Sequence, residues 1–251
     1  MKEKLYTIEL MDAVKSGDEC PFCYLERKLE QEAIEFVLGS SYMESDIRDM
    51  TDKQGFCRKH TKIMFDYGNS LGNAWILKSR MEYLRKQLKK EMEGFTPSKP
   101  SFFGKMKKSD SSGNGITSWV RGQESHCYVC GRVNETYRRM LDTFVYLAKK
   151  DHEFLDLIKQ SKGFCIHHFG DLIEVCEEGL GEKEKGEWFP VLFELTEKNL
   201  ERVQGDINWF IEKYDYRNQD ADWKDSKDAV QRTMQKIVGG YPADPVFKNQ
   251  K

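Results

Sequence analysis

Proline is scarce, six in 251 residues, so little along the chain interrupts helices. No apolar run approaches the roughly 20 residues that a membrane-spanning helix requires. The opening stretch Met1 to Leu10 also lacks the apolar segment of a secretory signal, which predicts a cytoplasmic protein. Net charge is missing too. The 40 basic and 42 acidic side chains nearly cancel, so no whole-molecule field draws the chain to nucleic acid or anionic lipid. Neither a GxxxxGK[ST] phosphate loop, a GxGxxG dinucleotide turn nor an HExxH metalloprotease helix occurs. Five histidines offer no evident general base, so nothing here reads as an enzyme.

What the chain does hold is one metal-ligand phrase written twice. Cys20-Pro21-Phe22-Cys23 is followed by Gly55-Phe56-Cys57-x2-His60, with 33 residues between Cys23 and Cys57. Cys127-Tyr128-Val129-Cys130 is followed by Gly163-Phe164-Cys165-x2-His168, with 34 between Cys130 and Cys165. Six of the seven cysteines enter the pattern. Two C-x2-C…G-F-C-x2-H halves imply an internal duplication and two Cys3His sites, most simply filled by two Zn2+ per chain. Cysteines at this spacing in a reducing cytosol are thiolates on a metal rather than disulfides, and an odd total of seven suits no disulfide framework.

The residue types fit that chemistry. A C-x2-C pair sets two thiolates on one turn of backbone, and a C-x2-H pair opening a helix turns sulfur and imidazole to one side. Three thiolates and a neutral imidazole leave a zinc complex with a formal charge of about −1. Helix N-termini at Pro21 and Cys57 offset it, at about 0.3 to 1 kcal/mol each. Four protein ligands close the coordination sphere and point to a structural metal. Within a half, one helix out and a short one back would bring the C-x2-H beside the C-x2-C. Each half is therefore expected to close its own site, with Cys20, Cys23, Cys57 and His60 in one and Cys127, Cys130, Cys165 and His168 in the other.

Other chemistries share parts of the pattern. Cys20-Pro-Phe-Cys23 resembles the active-site bracket of a thioredoxin or glutaredoxin, which would make the chain a thiol redox protein or redox sensor; no βαβ pattern surrounds it. An iron–sulfur cluster uses similar thiolate spacing. His167 competes with His168, which is preferred because it matches His60 at three residues past the cysteine, and His126 is a spare. Cys176 has no counterpart in the first half and reads as a buried small residue. His152 follows a helix cap and reads as solvated.

Apolar residues at three- and four-residue spacing predict an all-α fold. In the first half, helices are expected around Ile8–Val14, from Pro21 to Gly39, over Ser45–Met50, from Cys57 to Gly68 and from Leu71 to Met92. The second half repeats the order from Tyr128 to Lys149, from a cap at Asp151 to Lys162, from Cys165 to Glu178, then a long helix with Pro190 in its first turn. A final helix, capped by Asp225 or Ser226, runs to Gly239. The expected architecture is a duplicated helical bundle, each half of about four helices pinned by its zinc, plus a C-terminal helix. Residues 1–93 and 126–251 form the halves. Between them the Gly-, Ser-, Lys- and Pro-rich tract 94–125 reads as a linker. Its Lys99, Lys105, Lys107, Lys108 and Arg121, interleaved with Phe102, Phe103 and Trp119, would suit single-stranded nucleic acid, but no helix is expected to present them.

The paired CPxC…GFCxxH halves occur with Asp215-Tyr216-Arg217-Asn218 and Ser226-x-Asp228-Ala229 near the C-terminus. Together they resemble an uncharacterised bacterial family known only as a domain of unknown function, over about residues 18–239. The resemblance implies a bacterial setting and no activity. The aromatic and charged stretch Trp209 to Arg232 is the place where a protein or small-molecule partner would bind, with arginine reading carboxylate or phosphate.

Overall fold

A computed structural model describes residues 5–97, 115–240 and 242. Among these residues there are eleven α-helices and no strand. The first five are α1 (Thr7–Lys15), α2 (Pro21–Gly39), α3 (Ser45–Gln54), α4 (Arg58–Asp66) and α5 (Ser70–Glu93). They are followed by α6 (Gly115–Glu124), α7 (Tyr128–Lys150), α8 (His152–Gln160), α9 (Ile166–Gly179), α10 (Glu182–Glu212) and α11 (Ala229–Val238). The all-α expectation holds, and among the described residues no helix is long and apolar enough to cross a membrane.

Three expected elements are corrected. Part of the tract read as linker is helix α6, while positions 98–114, including Lys99, Phe102, Phe103, Lys105, Lys107 and Lys108, lie outside the described residues. Pro190 stands well inside α10 rather than in its first turn. Pro190 has no N–H for the Gly186 carbonyl, and the helix continues because Trp188, Leu192 and Leu195 around it are buried. The last helix starts at Ala229, after the 3-10 turn Lys224–Ser226 that takes the expected capping positions.

The described chain forms two compact units, one built from the residues up to Leu29 together with those from Asn134 onward, the other from Glu30–Val133. The boundaries fall inside α2 and α7, so the units do not follow the sequence halves.

In the first unit the core is aromatic. Phe144 meets Phe154 and Trp188 edge-on, each with ring centroids 5.2 Å apart, and the Trp188 indole N–H donates to Ala148 O at 3.2 Å. All three rings are buried, each contributing about 1.5–3 kcal/mol by the area it removes from water. In the second unit α3 packs on α5, burying Ile47 and Ile76. Asn69 caps α5, accepting from Gly72 N at 2.9 Å and donating to Leu38 O at 2.5 Å, which ties the start of α5 to the end of α2.

Candidate metal centres

The two G-F-C-x2-H phrases fold alike because each residue meets a backbone demand. Gly55 and Gly163 have φ of 64° and 71°, a region that costs other residues strain; at Gly55 a Cβ would also lie 2.7 Å from Arg80 Nη2. The turn sets Cys57 and Cys165 as N-caps of α4 and α9, with φ −73° in both and ψ 166° and 164°. The histidine three residues on then faces the same side as the sulfur. Cys20 and Cys127 stand immediately before α2 and α7, so every C-x2-C or C-x2-H pair opens a helix.

The eight sequence-predicted residues gather into two groups of four, but the groups are not those expected. Cys20, Cys23, Cys165 and His168 form one, within the first unit; Cys57, His60, Cys127 and Cys130 form the other, within the second. Each half of the sequence lends its C-x2-C to one group and its C-x2-H to the other. Local closure fails because the outward helix outruns the return. By the rise of an α-helix, α2 carries the chain roughly 24 Å beyond Cys23 while α3 spans only about 15 Å, and α7 and α8 repeat the mismatch with roughly 30 Å beyond Cys130 against about 14 Å.

In the first group Nδ1 of His168 lies 3.3, 3.5 and 3.2 Å from the sulfurs of Cys20, Cys23 and Cys165, and Cys23 Sγ is 3.7 Å from Cys165 Sγ. In the second, Nδ1 of His60 lies 3.2, 3.2 and 3.3 Å from Cys57, Cys127 and Cys130, and Cys57 Sγ is 3.9 Å from Cys130 Sγ. A tetrahedral ion with sulfur at about 2.3 Å and nitrogen at about 2.0 Å would set edges of roughly 3.5 to 3.8 Å. The donor set and its spacing therefore fit one ion of that size in each group. His168, fully buried, is the convergent histidine. Exposed His167, 3.7 Å from Asp171, lies outside the sulfur group although it is near His168, and exposed His126 turns to Gly122 O. Cys176 is buried and apart, its thiol pushed up to about 12 by burial.

Three sets of residues that the sequence reading missed support the groups. Glu30 Oε1 meets Nε2 of His60 at 3.2 Å and also pairs with Lys59; Glu26 Oε2 lies 3.2 Å from Nε2 of His168, at ion-pair distance without hydrogen-bond alignment. A carboxylate behind a ligating imidazole fixes its tautomer and raises its basicity. The signal was available, since Cys23, Glu26 and Glu30 are spaced three and four residues along α2. The third set comes from α11. Lys236, 1% exposed, donates to Glu19 O and Lys162 O at 2.6 Å each, and Gln235 donates to Asp18 at 2.6 Å. Just beyond, Gly240 N–H points at Cys23 Sγ from 3.3 Å. The C-terminal helix thus clamps both ligand-bearing segments of the first group. In the second group Tyr128 N–H donates to Gly55 O at 2.9 Å; Pro21, at the matching position in the first, has no N–H.

Charge in each group is self-compensating. Burial opposes ionisation of His60, and the Cys127 sulfur and Glu30 more than offset it, raising it to about 10. Burial also opposes the Cys127 thiolate, but His60 brings it down to about 6, while burial and that thiolate push Cys130 up to about 12. In the first group burial pushes Cys20 up, hydrogen bonds from Cys20 and Cys23 hold Cys165 well below its usual range, and His168, despite burial, rises to about 12 beside Cys165 and Cys23. Without a cation the donors hold one another's protons; a divalent ion would displace them.

One catalytic motif needs dismissing. Gly68-Asn69-Ser70-Leu71-Gly72 spells GxSxG, but a nucleophile elbow requires a strand leading into the turn, and here Ser70 merely opens α5 beyond its Asn69 cap.

A chain helical throughout its described elements, with one buried and one half-buried group of three cysteines and one histidine, each backed by a carboxylate, is a protein with two potential metal centres. It belongs to a family of unknown function, DUF6062, matching that family over residues 1–244. No curated protein and no solved structure matches the chain.

Proposed function

We propose that the protein is a zinc-stabilised binding or regulatory protein of the reducing cytoplasm, with one structural Zn2+ in each four-residue group and no catalytic metal. The observation that carries this reading is the convergence of four protein donors on one point in both groups, with edges of 3.2–3.9 Å. Four protein ligands leave no position for water or substrate. Two helix N-termini face each group, α2 and α9 in one and α4 and α7 in the other, and their positive ends suit a complex of negative charge.

Metal analysis of protein purified without added metal is expected to give two zinc per chain, and X-ray absorption a shell of three sulfurs and one nitrogen. Iron, or a sulfur-only shell, overturns the reading. The thiol-redox alternative has one observation in its favour, the partial exposure of Cys57 and Cys130. Reversible disulfide formation in the second group, without loss of fold, would establish it.

A further inference from the structure

In the first unit a pocket of about 820 Å³ opens between the end of α8, the middle of α10 and the 3-10 turn leading to α11. That is within the size range of small-molecule sites. Seven basic side chains against four acidic ones line it, an excess of three positive charges. Its floor is a network of three carboxylates and two guanidiniums. Glu19, 4% exposed, takes Arg202 Nη2 at 2.5 Å; Arg232, 6% exposed, holds Asp206 at 2.7 Å and Asp228 at 2.8 Å. The excess therefore lies on the rim, where exposed Lys198 and Lys227 have no carboxylate partner among the described residues.

One buried oxygen is held by ion pairs alone. Glu19 Oε1 has no hydrogen bond among the described residues, with Lys162 at 3.6 Å and Arg232 at 3.9 Å. A buried acceptor without a hydrogen-bond donor is unfavourable, so a ligand hydroxyl reaching it would supply the missing bond. Leu195 is the one hydrophobic residue in the lining and no aromatic ring joins it, so the walls favour a polar ligand over an acyl chain.

The geometry points to a binding site for a small phosphorylated, hydroxyl-bearing compound. Its phosphate sits among the rim lysines and its hydroxyls turn toward Glu19. A phosphate monoester carries about −1.5 to −2 at neutral pH and matches the rim better than a single carboxylate does. The assignment rests on the binding-protein reading and gives that reading a ligand class. It also takes in Lys224, Asp225, Asp228 and Arg232 from the stretch in which a partner was expected.

The test is calorimetric titration of the full, metal-loaded chain with ribose 5-phosphate, with ribose, inorganic phosphate and succinate alongside, and zinc counted in every sample. Saturable one-to-one binding of ribose 5-phosphate is expected, with inorganic phosphate weaker and ribose silent. The Lys198→Gln/Lys227→Gln variant should bind about tenfold more weakly or worse, since each lost partner is a charge-assisted contact, and Lys227→Glu should do the same. No binding up to roughly 10 mM, succinate preferred, or affinity unchanged in both variants overturns the site. If that happens with two zinc per chain present, only the pocket falls; a chain without zinc refutes the metal reading whatever the titration gives.

Discussion

Replacing Cys165 by serine separates crossed from local pairing. In the structure Cys165 shares its group with Cys20 and Cys23, 141 intervening residues upstream of Cys165 at the nearer cysteine. A cross-link closing a ring of that size removes about 5 kcal/mol of unfolded-chain entropy, against about 3.8 kcal/mol for the roughly 34-residue ring of a locally closed site. For a chain of this length that corresponds to a fall of about 10–20 °C in melting temperature, and the lost metal–ligand bonds can only add to it. Zinc should drop from two per chain to one. The decisive readout is alkylation mapped by mass spectrometry: Cys20 and Cys23 become reactive, while Cys57, Cys127 and Cys130 stay protected. If Cys127 and Cys130 are labelled instead, and Cys20 and Cys23 are not, the crossed pairing is wrong.

Thiol counting should give no rapidly reacting cysteine in metal-loaded protein, six after chelation, and the seventh, Cys176, only on denaturation, because burial raises its thiol to about 12; early reaction of Cys176 contradicts its placement. Glu30→Gln should weaken metal retention at the second group by about 10–100-fold and leave the first unchanged, as read by competition with a chromogenic chelator; equal loss at both would refute its assignment to His60. Zinc uptake at pH 7 should release protons, measured by calorimetry in buffers of different ionisation enthalpy, because metal-free His60, raised to about 10, is still an imidazolium there. Because its folded value is raised, that imidazolium stabilises the metal-free fold fully below about pH 6.5, and the contribution is lost as pH rises through 10; absence of proton release would refute this. Lys236→Met should cost about 3 kcal/mol in chemical denaturation, since two buried charge-assisted hydrogen bonds are lost, and a change below about 1 kcal/mol would show that α11 does not clamp the first group.

The helices and their ends were legible in the sequence wherever the signal was local. Pro21, Gly39 and Asp151 mark boundaries through their own backbone chemistry, and the structure places them where that chemistry requires. The eight convergent residues were legible because spacing within each pair is also local. Their partnership was not, since it depends on how far α2 and α7 carry the chain, which no motif encodes. Pro190 misled for the opposite reason: a residue that favours first turns was overridden by burial of its neighbours. Glu26 and Glu30 follow Cys23 at helical spacing, a signal easily passed over among many other acidic side chains, and their distance to an imidazole confirms the role.

Crossed pairing also sets an order on synthesis. As the chain leaves the ribosome, Cys20, Cys23, Cys57 and His60 emerge as two incomplete half-sites. The second unit's group is complete only once Cys130 has been made, and the first unit's waits for His168. Until then a nascent chain offers zinc three thiolates and an imidazole that belong to two different destinations. A metal taken up by those four donors would have to be released before either crossed group could close, a step that a chain with locally closed sites would never face.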